Sequence, residues 1–71
     1  MNNFRKLRKE RGLTQVQVSL KARASLVTIG QVERQDHCPN LLVRRRLAKA
    51  LGVKASEIWP SVDDDDGEGP L

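Results

Sequence analysis

Residues 13–34, LTQVQVSLKARASLVTIGQVER, carry two helix starts so close together that few folds can hold them. Thr14 is a good N-cap, and Gln17 follows three residues later. This is the capping box, in which hydroxyl and amide each satisfy a backbone N–H that the first turn leaves unpaired. Leu13 and Val18 stand where a hydrophobic staple needs them. Ser25 repeats the signal more weakly, with Ala24 and Ile29 at the staple positions. The pattern predicts helices over residues 14–22 and 25–34 with a tight turn between them. Two helices so joined must cross steeply, as a helix-turn-helix does.

The remaining apolar residues fall at helical spacing. Phe4 and Leu7 mark the buried stripe of a first helix over residues 3–11, and Gly12 follows where left-handed geometry is cheap. Val18 and Ala22 should pack inward from the second helix, and Ile29 and Val32 from the third; Val16 and Leu20 lie outside that stripe. Pro39 and Asn40 announce a fourth helix over residues 41–51, with Val43, Leu47, Ala48 and Leu51 buried and Gly52 ending it. Ser56 can start a last turn through Glu57, Ile58 and Trp59 before Pro60. Ile58 and Trp59 either cover the core or form a dimer contact. The expected fold class is all-α: one domain over residues 1–60, then an acidic, disordered tail over residues 61–71. A single core in so short a chain contributes only roughly 3–5 kcal/mol.

Charge is divided along the chain. All 13 Lys and Arg precede Val62, opposed there only by Glu10, Glu33, Asp36 and Glu57. Asp63, Asp64, Asp65, Asp66 and Glu68 then bring the formal net charge down to +4. A body so basic points to a polyanion, with an ordinary solvated face as the bland reading. The acidic tail is read first as solubilising; the alternative is that it folds back on the basic face and competes for that polyanion. Cys38 is the only cysteine, so no disulfide framework exists within one chain, in keeping with a cytoplasmic setting. No apolar run approaches the roughly 20 residues of a membrane span, and the basic N-terminus is not followed by a secretory apolar stretch. His37 and Cys38 lack the further ligands that zinc needs and a third group to orient a nucleophile. No metal, no cofactor and no enzymatic activity are expected.

The third helix is the candidate reader of a nucleic acid. Leu26 and Val27 put apolar side chains on what should be an exposed helix start. They would meet thymine methyl groups in a major groove, or be buried against an unseen surface. Gln31 can make paired hydrogen bonds to adenine N6 and N7. Gln15, with the free N–H groups of the second helix start, is placed for a phosphate oxygen, or is an ordinary surface glutamine. Gly30 costs the helix about 1 kcal/mol relative to alanine, which close approach to another backbone would explain. Arg44, Arg45 and Arg46 cannot share one helix face.

The run Leu7-Arg8-Lys9-Glu10-Arg11-Gly12-Leu13-Thr14-Gln15, then Ile29 and Glu33, then Leu47-Ala48-Lys49-Ala50-Leu51-Gly52-Val53, resembles the Cro/repressor-type (Xre-like) helix-turn-helix family. The resemblance implies a compact five-helix Cro/lambda-repressor-like DNA-binding domain whose third helix enters the major groove. It implies DNA-binding roles for Thr14, Gln15, Ser25, Leu26, Val27, Thr28, Gln31 and Arg34. Gln15 would touch phosphate and support the reading helix, and Arg8 and Glu33 would form a structural ion pair between the first and third helices. Ser19, Arg23 and Gln35 depart from the family pattern, which has a small alanine and two glycines there. Arg23 implies either mild strain or a different turn. The expectation is a stand-alone transcription regulator on double-stranded DNA, a repressor or controller protein acting as a homodimer. The alternative is an antitoxin or other interaction protein that holds a partner protein by the apolar edge at Ile58 and Trp59.

Overall fold

Caps decide where the helices begin. The computed structural model describes residues 2–62, in which five helices follow one another: α1 (Phe4–Glu10), α2 (Gln15–Ala22), α3 (Leu26–Gln35), α4 (Leu41–Leu51) and α5 (Ala55–Ile58). No strand occurs among the described residues, so the chain is all-α. Thr14 Oγ1 accepts from the Gln17 N–H at 3.1 Å, and the Thr14 N–H donates to Gln17 Oε1 at 2.8 Å, closing the expected capping box. Ser25 Oγ accepts from the Thr28 N–H and Asn40 Oδ1 from the Val43 N–H, both at 3.0 Å.

The first and last helices start differently from expectation. Phe4 donates its N–H to Asn2 Oδ1 at 2.9 Å, so the capping side chain of α1 is Asn2. Asn3 is thereby released to tie down α5: its N–H donates to the Ile58 carbonyl at 2.8 Å and its Nδ2 to the Glu57 carbonyl at 2.9 Å. The α5 helix starts at Ala55, one residue before the expected Ser56. Glu57 Oε2 accepts from the Lys54 N–H at 3.0 Å, so a carboxylate satisfies the start without a hydroxyl at the cap.

Two helices end as glycine allows. Gly12 (φ 67°) and Gly52 (φ 74°) are left-handed, and the following N–H groups close back, Leu13 onto the Arg8 carbonyl and Val53 onto the Ala48 carbonyl. Two further helices, α2 and α3, end on non-glycine residues in the same conformation, Arg23 (φ 57°) and Asp36 (φ 53°). The first settles the choice left by Arg23: the turn is the ordinary left-handed one, with the strain accepted. Ser19 braces it. Its carbonyl accepts from the N–H groups of Arg23 and Ala24, and its hydroxyl donates to the Ala24 carbonyl at 2.5 Å. At the end of α3, Gln35 stays helical and Asp36 takes the left-handed place one residue later than the family pattern has it. Without a glycine at 35 nothing stops the helix there. Asp36 Oδ1 accepts from the Asn2 N–H at 2.7 Å and from Asn2 Nδ2 at 3.0 Å, and the same Nδ2 donates to the Val32 carbonyl.

Phe4, Val18, Ala22, Ile29, Val32, Leu47, Ala48, Leu51, Ala55, Ile58 and Trp59 form one core. Burying a side chain such as Phe4 or Leu47 contributes about 1.5–3 kcal/mol. The α2 helix packs on both α3 and α4, α1 on α3, and α5 on α4. Ile58 and Trp59 are buried, so of the two readings left open for them they cover the core, and the apolar edge expected in the alternative to hold a partner protein is not exposed at these two residues. In a domain this small the last turn is needed to close the core. Val62 also packs against it. The acidic run beginning at Asp63 lies outside the described residues. No described helix is long and apolar enough to cross a membrane.

Candidate nucleic-acid interface

Two residues orient α3. Ile29 and Val32 are fully buried, and this side faces the rest of the domain. At 100° per residue Val27, Gln31 and Arg34 fall on the opposite side, with Leu26 and Gly30 on one flank. Leu26 is 48 % and Val27 67 % exposed, so neither is used by the core. Gln31 is half-buried. Four of the expected contact residues, Leu26, Val27, Gln31 and Arg34, therefore share the outer half of one helix.

The other four have structural duties as well. Thr14 and Ser25 cap their helices, and Thr28 Oγ1 lies 3.0 Å from Ser25 Oγ. Gln15 Nε2 donates to Glu33 Oε1 at 3.1 Å, tying the start of α2 to α3. Glu33 is the hub of this side. It takes the Arg8 guanidinium in a fork, Nε to Oε2 at 2.6 Å and Nη2 to Oε1 at 3.2 Å. Arg8 Nη1 also donates to the Leu13 carbonyl at 2.7 Å. The pair is nearly closed to water, with side chains 11 % (Arg8) and 4 % (Glu33) exposed. One carboxylate thus fixes α3 against α1 and against the entry to α2, as the ion pair implied by the resemblance requires. The capping box uses the Thr14 and Gln17 N–H groups, and those of Gln15 and Val16 lie outside the intrahelical ladder. A helix start of this kind favours an anion.

The reason for Gly30 differs from the expected backbone approach. A Cβ placed there would lie 2.7 Å from Arg34 Nη2 and 2.9 Å from Nη1, so a side chain of the same helix fills the space. Position 34 is one turn on from 30, and helical side chains lean back toward the N-terminus.

The arginine run diverges. Arg44 turns toward the preceding loop, donating to the Pro39 carbonyl and lying 3.6 Å from Cys38 Sγ. Arg46 lines an open groove with Lys21, Arg23 and Lys49, between the end of α2 and α4. Leu41 and Leu42 are exposed at the start of α4, where they fall outside the stripe of Val43, Leu47 and Leu51. That offset is visible in the helical spacing and would have marked them as surface residues.

A family model described as helix-turn-helix matches residues 4–58. An uncharacterized HTH-type transcriptional regulator of Sinorhizobium fredii is 35% identical over 63 residues, covering 89% of this chain and 82% of that protein. The immunity repressor protein of Bacillus phage phi105 is 42% identical over 52 residues, covering 73% of this chain but only 36% of the repressor. Among solved structures, the restriction-modification controller protein C.AhdI from Aeromonas hydrophila superimposes with a TM-score of 0.71 at 29% identity, over 78% of this chain and 83% of that one. The five helices have the Cro-like arrangement.

Proposed function

Because the chain belongs to the helix-turn-helix family and is a DNA-binding regulator of transcription, we propose that it reads double-stranded DNA in a sequence-specific way, with α3 in the major groove and two copies on a two-fold site. The observation that carries this reading is the outer half of α3. Leu26, Val27, Gln31 and Arg34 stand there, on a helix that Ile29, Val32 and Glu33 hold from behind. Val27 and Leu26 would contact thymine methyl groups, and Gln31 would pair with an adenine edge. Ser25, Thr28, Thr14, Gln15 and Arg34 would supply hydroxyl, amide and guanidinium contacts to phosphate or base edges at the groove wall. The basic body adds affinity that depends on salt. Occupying a promoter is then enough to block it, in line with the repressor and controller proteins that the chain is similar to. A two-fold dimer would set two copies of α3 about one helical turn apart.

Selection of bound duplexes from a random pool at near-physiological salt tests this. The expected result is an enriched palindrome whose half-site spacing matches a dimer. Recovery of the pool without an enriched sequence would remove the sequence-reading role and leave a non-specific polyanion binder.

A further inference from the structure

We propose that Gly30 is a positioning residue, whose missing side chain seats the Arg34 guanidinium on the flank of α3 and holds it for a DNA phosphate. The inference rests on the duplex-binding reading above.

Gly30 is buried although it has no side chain and sits in the exposed half of α3, while Leu26, one turn earlier on the same stripe, is exposed. The cover is Arg34. An added Cβ would meet Nη2 at 2.7 Å and Nη1 at 2.9 Å, closer than real Cβ atoms come, and Cζ at a tight 3.1 Å, so the end of the Arg34 side chain would have to move aside. The guanidinium therefore occupies the volume that any other residue at 30 would fill. A glycine inside a helix lowers its stability relative to alanine, so this position carries a cost that the fold does not need. Among the described residues no ion pair engages Arg34. Its charge is exposed and available.

Phosphate is the better partner than a base. Leu26 and Gly30 lie on the flank between the outward face of Val27, Gln31 and Arg34 and the side on which Glu33 meets α1 and α2, and Arg34 folds back from that outward face over Gly30. An arginine reading guanine has to extend away from the helix to reach two acceptors in the groove floor. One folded back along the helix instead offers its N–H groups sideways, toward the groove wall.

A double-mutant cycle tests the proposal, using wild type, Gly30→Ala, Arg34→Ala and the double variant. The probes are the duplex recovered by selection and a scrambled duplex of equal length, each titrated at several salt concentrations. Trp59 fluorescence reports folding. Gly30→Ala should melt higher yet bind both duplexes more weakly, by roughly 3- to 10-fold, as for loss of a phosphate contact that is blind to sequence. Arg34→Ala should lower the slope of log affinity against log salt by about 1. In the Arg34→Ala background, Gly30→Ala should change affinity by less than about twofold. An equal loss in both backgrounds would overturn the proposal, because the added methyl would then act by itself. So would unchanged affinity of Gly30→Ala, or its failure to fold. If Arg34→Ala binds like wild type while Gln31→Ala does not, this inference falls and the duplex reading stands. If wild type does not prefer the selected duplex, the sequence-specific reading falls, and this inference with it.

Discussion

Arg23 holds φ 57°, a conformation that costs an L-residue roughly 1–2 kcal/mol. Ser19 answers that strain from three directions, with its carbonyl under the Arg23 and Ala24 N–H groups and its hydroxyl on the Ala24 carbonyl. Arg23→Gly should therefore stabilise the domain by about 0.5–1 kcal/mol, part of the relief being returned through the freer unfolded chain. Ser19→Ala should cost about 1 kcal/mol, the net worth of one hydrogen bond. Urea unfolding followed on Trp59 measures both; a destabilised Arg23→Gly would mean that the arginine side chain has a structural role of its own. That a residue in this turn sat uneasily was legible, since glycine is the easy occupant. Whether the turn or the residue gave way was not, because the answer depends on a hydroxyl four positions away and its reach across the turn.

Among the elements, α3 is tied to its neighbours by a buried ion pair as well as by packing. Glu33 carries the Arg8 fork and the Gln15 amide at once, at 4 % side-chain exposure. Removing one partner of such a buried pair costs about 3–5 kcal/mol, because the other charge is left stranded. That equals the roughly 3–5 kcal/mol a core of this size supplies. Glu33→Ala is thus expected to be largely unfolded at 25 °C by far-UV circular dichroism, whereas replacing Arg8 and Glu33 together by methionine and leucine should keep a helical, cooperatively melting domain. A folded Glu33→Ala would show that water reaches Arg8 and that the pair matters little. At the far end of α3, Asn2→Ala removes bonds to Asp36, to the Val32 carbonyl and to the Phe4 N–H. It should lower stability by about 1–2 kcal/mol.

Element starts were readable where the signal is local. The Thr14–Gln17 box, the Ser25 and Asn40 caps and the Gly12 and Gly52 stops all act within a few residues, and all are found in place. The cap of α1 escaped because Asn2 and Asn3 are adjacent and chemically alike. What separates them is the position of α5 and of Asp36, which accept the bonds of one or the other. For Ile58 and Trp59 the choice between core and dimer contact stayed open for a related reason. An apolar pair at the end of a small domain reads the same whether it closes the core or awaits a partner. The Arg34 seat on Gly30 required the side-chain direction as well as the spacing.

At the scale of the molecule the balance of charge sets how DNA is met. The basic residues all belong to the segment before Val62, and five carboxylates follow it. A chain ending at Val62 should bind any duplex more tightly at low salt, with the advantage fading as screening shortens the reach of its charge. Equal affinities at low salt would mean that the acidic segment is electrostatically silent toward DNA. Such changes touch affinity and leave the preferred sequence alone, since phosphates carry no sequence information directly. The central claim concerns preference: the outer half of α3 reads bases. The most direct measurement is to repeat the duplex selection with Gln31→Ala, folded as judged by Trp59 fluorescence, and to compare its motif with that of wild type. The account predicts relaxed preference at one base pair in each half-site and the same motif elsewhere. An unchanged motif, or the loss of every position together, would contradict it.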